Sequence, residues 1–348
     1  MKKHVNIPIF IPHLGCSNSC VFCNQRKITG VPCYDRNSVL SEIETALSTI
    51  DTDTTETELA FFGGSFTAIP EPEMIWLLST AGKFKDSGKI QSIRLSTRPD
   101  AINERILDIL STYGVRTIEL GLQSFSDKVL TASRRGHTAK TSVNACNLIK
   151  KYRFQLVGQM MIGLPDSSPQ DEIYTSKEIC RLGCDGARIY PTVVFPETEL
   201  MSMQEKGLYT PLSTEEAVVR SADVFEIFVS SGVKVLRIGL CSNETLASDF
   251  FRSGYHPAIG ELTINRYYLK KMSELLEKYH SPTGTVVFAV SKGKTSQAVG
   301  QKRSNVSLLA EKYGLKKIRV TESELVSGFG ISLLHTDTER NRYASDLS

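Results

Sequence analysis

The sequence predicts an α/β chain: a partial (β/α) barrel followed by a small basic α/β module. Three observations lead there. Apolar strand-like runs alternate with amphipathic helix-like runs through residues 1–245. Glycine- and proline-bearing motifs recur where the strand-like runs end, which in a parallel barrel is one face. Beyond residue 284 the elements shorten and turn strongly basic.

The expected strands, in order, are 5–14, 58–66, 90–99, 117–124, 155–164, 186–195 and 233–240. Between them lie SVLSEIETALSTI, EPEMIWLLSTAGKF, INERILDILSTYG, TSVNACNLIKKY and STEEAVVRSADVFEIFVSSG, each with apolar residues at helical spacing. A regular β-α repeat implies a parallel sheet wrapped by helices, and seven strands favour a partial barrel over an open doubly wound sheet. FGGSF closes the second strand, STRPD the third, LQSF the fourth, MIGLP the fifth and RIYP the sixth. Any one of these reads equally well as a turn. Together they mark one face as a site. Residues 1–245 are expected to form the barrel, 246–284 a connecting turn and helix, and 285–348 the basic module with a polar tail.

Composition narrows the class. The chain has 348 residues, 41% hydrophobic and 23% charged, which is ordinary for a globular protein and excludes a disordered chain. No apolar run approaches the roughly 18 residues of a membrane span. The start, MKKHVNIPIFIPHLGC, lacks the small-residue cleavage site of a secretory signal, so a cytoplasmic location is expected. A net charge of +3 selects no partner. Eight cysteines in such a chain point to metal or reactive thiols before disulfides.

Three of those cysteines, Cys16, Cys20 and Cys23, are spaced CxxxCxxC in CSNSCVFCNQ (16–25). A structural zinc ion wants four closed ligands, generally from two such pairs, and no second pair follows. Cys180 and Cys184 read as helix positions at i,i+4. The other reading is an iron–sulfur cluster on three thiolates with one iron left open, a position that a substrate or cofactor can occupy.

With Phe22 before its last cysteine, the CxxxCxxC motif resembles that of radical S-adenosylmethionine enzymes, and the resemblance extends over residues 4–240. It implies that Cys16, Cys20 and Cys23 ligate a [4Fe–4S] cluster whose unique iron chelates S-adenosylmethionine. Gly63, Gly64 and Ser65 match the glycine-rich motif that meets the amino group of that cofactor. The stretch GVRTIELGLQSFSDKVLTASRRGH (114–137) is similar to both oxygen-independent coproporphyrinogen oxidase and the Elongator catalytic subunit. Gln123 and Arg135 fall where those families place polar groups near the cofactor carboxylate.

Two features separate these relatives. Porphyrinogen enzymes carry an acidic residue four positions before the glycine of GLP, to hold the ribose; Gln159 stands there, as in the Elongator pattern. The stretch RIYPTVVFPETELMSMQEKGLYTPLSTEEAV (188–218) resembles the Elongator type throughout, and STRPD (96–100), with Ser96, agrees. The acetyltransferase domain of Elongator has no counterpart motif in residues 246–348, so its acetyl-CoA chemistry is not carried over.

In the basic module, eight of residues 286–320 are Lys or Arg and only Glu311 is acidic. AVGQKRSNVSLLAEKYG (298–314) resembles the loop and helix of a KH RNA-binding domain, with Gly300, Gln301, Lys302 and Arg303 at the backbone-clamping loop and its second glycine missing. A solvated basic loop on a small appendage is the plainer alternative. His256, in GYHPAIGE, is a weaker candidate near a substrate and reads first as a turn residue.

The expected activity is reductive cleavage of S-adenosylmethionine at the cluster to a 5′-deoxyadenosyl radical, used to modify tRNA or another RNA. A flavodoxin or ferredoxin would supply the electron. The rival readings are a small-molecule enzyme of the coproporphyrinogen oxidase type and an RNA-binding protein with a structural or sensory cluster. No catalytic side chain is singled out.

Overall fold

The computed structural model describes residues 3–16, 20–51, 54–240, 255–279 and 284–336. Cys241, the expected boundary at 245 and the polar tail from 337 lie outside the described residues.

The first strand, β1 (Lys3–Phe10), leads through the cysteine loop to α1 (Gln25–Thr29) and α2 (Val39–Ser48). The repeat then runs β2 (Thr55–Phe62), α3 (Glu71–Asp86), β3 (Ser92–Thr97), α4 (Glu104–Thr112), β4 (Val115–Gln123), α5 (Asp127–Ala132), α6 (Ala139–Lys151) and β5 (Gln155–Ile162). It continues through α7 (Pro169–Arg181), β6 (Gly186–Pro191), α8 (Glu199–Glu205), α9 (Thr214–Ser230) and β7 (Lys234–Ile238). The seven strands pair in parallel in sequence order, β1 to β7, so the sheet curls into a half-barrel. A doubly wound sheet would reverse its strand order part-way; this one does not. Strand-like runs extended past the observed strands at 63–66, 98–99 and 192–195, where Gly63, Pro99 and the turn before α8 bend the chain away. Helix α7 was not anticipated as an element. It ends at Arg181, so Cys184 lies beyond it and is not the helix position its spacing suggested.

Alternation decides the two faces of the sheet. Ile7, Ile9, Leu59, Phe61, Ile93, Leu95, Ile118 and Leu120 point outward and pack beneath the helices in one core. The intervening residues point into the half-barrel. There Glu58, Arg94, Glu119, Gln159 and Arg188 come from five successive strands and bond to one another. Helix starts follow local capping chemistry: Ser168 with Asp171 and Ser213 with Glu216 form reciprocal capping boxes on α7 and α9.

The C-terminal module holds α10 (Ile259–Lys278), β8 (Thr285–Val290), α11 (Thr295–Val299), α12 (Ser304–Tyr313), β9 (Lys317–Glu322) and β10 (Ile331–Thr336). Its separate mixed sheet has the order β10-β8-β9, with β8 parallel to β9 and antiparallel to β10. Helix α10 serves both cores. Tyr267 and Tyr268 join the barrel core, while Met272 and Leu276 join Val286, Phe288, Leu309 and Ile318 in the module. Lys270 pairs with Asp223 of α9 at 2.8 Å, holding the helices side by side.

Candidate active site

The cysteine loop begins by continuing the sheet: the Ile11 N–H donates to the Phe62 carbonyl at 2.7 Å. Cys16 N–H then donates to His13 at 3.1 Å and Cys23 N–H to Cys20 at 3.1 Å, so tight turns bring the three thiols to one side. Asn24 fixes the exit. Its side chain accepts from Lys27 N–H to cap α1 and donates to the Pro196 carbonyl at 3.1 Å. Residues 17–19 lie outside the described residues.

The glycine-rich turn after β2 locks onto this loop. Ser65 N–H donates to the Leu14 carbonyl at 3.0 Å, and the Cys16 and Ser65 side chains meet at 3.8 Å. A Cβ on Gly64 would stand 2.2 Å from the Leu14 oxygen and 2.6 Å from that of Ile11. Glycine is required there because backbone approaches backbone. Gly63 has φ +104°, a conformation side chains rarely adopt.

A cavity of about 330 Å³ opens at the C-terminal ends of the strands. Cys16, Cys20 and Cys23 line one wall, and Gly64, Ser65, Ser96, Gln123, Arg135 and Gln159 line the rest. Of the residues expected from the sequence to meet the cluster or cofactor, Gly63 alone is not among those that line the cavity. His13, Gln25, Thr97, Arg98 and Gly121, none of them expected from the sequence, also line it. Arg98 directly follows Ser96 and Thr97 at the same strand end, a signal that was available.

Several polar atoms on this wall await a partner. Gln123 Oε1, Arg135 Nε and Arg98 Nη1 are buried without one, and a buried polar atom left unpaired is the exception in proteins. Gln123 reaches the cavity because the β4–β5 register shifts between Gly121 and Gln123, and it holds φ +64°. Gln159 is oriented by its neighbour. Glu119 can only accept, so the Gln159 amide nitrogen faces it at 2.9 Å. Arg188 and Arg94 also bond Glu119, at 2.8 and 2.6 Å. Burial pushes the Glu119 carboxyl up, but the two guanidiniums outweigh it and hold it below its ordinary value.

The GLP turn is pinned from two sides. Gly163 N–H donates to Glu172 at 2.7 Å, and Tyr209 Oη donates to the Gly163 carbonyl at 2.7 Å. His137, from the same stretch as Arg135, is buried with the Leu122 backbone beside its ring. Burial and the adjacent Arg135 push it down to about 4, so it is neutral at physiological pH.

His256 accepts from Ala258 N–H at 3.0 Å, closing the turn before α10, and is not on the cavity wall. Gly300 to Arg303 form the connection between α11 and α12, apart from the cavity, with Gly300 buried against the start of α12 and Gln301, Lys302 and Arg303 exposed. Gly300, Lys302 and Arg303 all have positive φ.

Residues 10–176 match the model of the radical SAM superfamily, and residues 184–271 match that of the radical SAM C-terminal domain. The chain belongs to the radical SAM enzymes. This radical SAM chain is 26% identical to an uncharacterized protein of Methanocaldococcus jannaschii, over 82% of its own length and 88% of that protein. It is 28% identical to the tRNA uridine(34) acetyltransferase of Methanocaldococcus infernus over 47% of its length, and 28% identical to human Elongator complex protein 3 over 52%. It spans only 35% and 37% of those two proteins. Among solved structures, the archaeal Methanocaldococcus infernus Elp3 with an N-terminal deletion superposes with a TM-score of 0.62 at 21% identity, covering 78% of this chain and 64% of that one. That likeness establishes the shared fold.

Members of the radical SAM superfamily use a [4Fe–4S] cluster and S-adenosylmethionine, and the residues fit both. Among the described residues no three His, Cys, Asp or Glu side chains close on a single ion, as a zinc site requires. The thiols spread along a wall instead, which suits a larger group. Burial and the nearby Cys20 and Cys16 push the Cys23 thiol up to about 12, so cationic iron is what would let its thiolate form. When bound, the pair supplies one-electron cleavage of a carbon–sulfur bond.

Proposed function

We propose that this radical SAM enzyme modifies tRNA in the cytoplasm. Cys16, Cys20 and Cys23 ligate the cluster. Gly63, Gly64 and Ser65 form the turn beside the cofactor's amino end, and Ser96, Gln123, Arg135 and Gln159 meet its remaining polar groups. The observation that carries the enzyme reading is convergence: three thiols of the cysteine loop share one cavity with Ser96 of β3, Gln123 of β4, Arg135 of the turn after α5 and Gln159 of β5. A structural cluster needs no such wall.

Support for an RNA substrate comes from the basic module and from the tRNA-directed names of two relatives. Gln301, Lys302 and Arg303 are exposed ahead of α12, where positive side chains and free helix N–H groups favour phosphate. A flavodoxin or ferredoxin is the matching electron source. The test is mass spectrometry of tRNA nucleosides from a strain lacking the gene, paired with deoxyadenosine formation by the reduced protein. Loss of one modified nucleoside and its return on complementation support the reading. Unchanged tRNA together with cofactor cleavage would favour a small-molecule substrate.

A further inference from the structure

Two guanidiniums flank the cysteine loop, and their surroundings differ. Arg98 is 5% exposed and bidentate to Asp100, at 2.9 and 2.8 Å. Its charge is met locally. Arg135 is 6% exposed and has no carboxylate partner among the described residues. Its Nη2 donates to the Gly121 carbonyl at 2.6 Å, and its own carbonyl accepts from Arg98 Nη2 at 2.6 Å. These contacts hold the guanidinium so that Nη1 lies 3.2 Å from the Cys20 sulfur. A buried charge without a counter-ion is costly. The anionic groups within its reach are the cysteine sulfurs.

Accepting the cluster assignment proposed above, we infer that Arg135 is a potential-setting residue: it donates a charge-assisted hydrogen bond to the Cys20 sulfur and raises the reduction potential of the cluster. Reduction adds one electron from a low-potential flavin or iron–sulfur carrier, and no proton need move. The added negative charge spreads onto the ligating sulfurs. A fixed positive donor at one of them stabilises the reduced state more than the oxidised one. Gly121 makes this geometry available. A Cβ there would stand 3.1 Å from Arg135 Nη2 and 3.1 Å from Gln123 Nε2. Gly121→Ala therefore displaces the guanidinium without removing its charge.

The experiment is an EPR-monitored redox titration of full-length, anaerobically reconstituted protein without S-adenosylmethionine, using dithionite as reductant. Arg135→Gln should lower the midpoint by about 59 mV, a tenfold change in the reduced-to-oxidised ratio for a one-electron couple. Arg135→Lys keeps the charge, loses the fixed fork and should shift less; Gly121→Ala should shift in the same direction. If Arg135→Gln holds too little iron to titrate, Gly121→Ala carries the test. A full cluster with an unmoved midpoint in both Arg135→Gln and Gly121→Ala overturns the inference. So does an unmoved midpoint with weakened S-adenosylmethionine binding, which would assign Arg135 to the cofactor carboxylate alone. Wild-type protein that takes up no cluster overturns the parent assignment as well, so the two failures are distinct.

Discussion

Gly15 lies against the Ser65 backbone so closely that a Cβ on it would stand 2.4 Å from the Ser65 carbonyl oxygen. Gly64 meets Leu14 in the same way from the opposite loop. The glycine-rich turn and the loop that carries Cys16 are therefore interlocked through backbone.

Substitution within this interlock should cost iron. Gly64→Val forces the Leu14 carbonyl away and with it the approach to Cys16, so iron per chain after reconstitution should fall well below that of wild type. Gly15→Ala should act similarly, because φ is +74° there as well as crowded. Iron and sulfide analysis checks both. Wild-type iron in Gly64→Val would show that the loops adjust independently.

Cluster loading should depend on three cysteines. Alanine at Cys16, Cys20 and Cys23 together should abolish the visible absorbance of about four irons per chain. Cys33 is exposed, while Cys146 and Cys184 are buried away from the cavity, so alanine at these, at Cys180 or at Cys241 should leave iron in place. Retention of a full cluster by the triple variant would refute the assignment.

Glu119 is fully buried and pairs with Arg188 and with Arg94, which also holds Glu58. Glu119→Ala leaves Arg94 and Arg188 facing each other without it, which should lower the unfolding free energy by about 3–5 kcal/mol. Urea denaturation of the apoprotein measures it. The variant also frees Gln159 to rotate, so S-adenosylmethionine affinity should weaken in parallel.

His137 predicts an acid-side loss of stability. Its value is about 4 in the folded chain against 6.5 for the free side chain. The unfolded state therefore binds the proton more tightly between those limits. Its contribution is complete above about pH 6.5 and is lost as the pH falls toward 4, amounting to about 3 kcal/mol. Urea midpoints of apoprotein at pH 7 and 4.5 should differ more for wild type than for His137→Asn. Equal differences would remove His137 as the source.

The module loop should set RNA affinity. Lys302→Glu with Arg303→Glu should weaken tRNA binding and make log K less steep in log salt by about 1–2 units, with iron content unchanged. Gel shifts across a salt series measure this. Wild-type protein that ignores tRNA at low salt would sink the RNA reading.

Much of this was legible residue by residue. The CxxxCxxC spacing, the β-α repeat and the motifs at the strand ends are local signals, and one cavity gathers Ser96, Gln123, Arg135 and Gln159. Arg98, Gly15 and Gly121 were missed because their importance is a matter of what approaches them. Nothing in RLSTRPD or SRRGH says that Arg98 finds a carboxylate while Arg135 reaches a cysteine sulfur.

The sequence by itself determined the strands, their parallel order and the position of the thiols, because hydrophobic period and turn chemistry act over a few residues. Tertiary structure alone decided that Glu58, Arg94, Glu119, Gln159 and Arg188 form one bonded chain and that Arg135 reaches Cys20. Those contacts join residues far apart along the chain, and they depend on register: a slip of one residue on any strand turns its side chain to the opposite face.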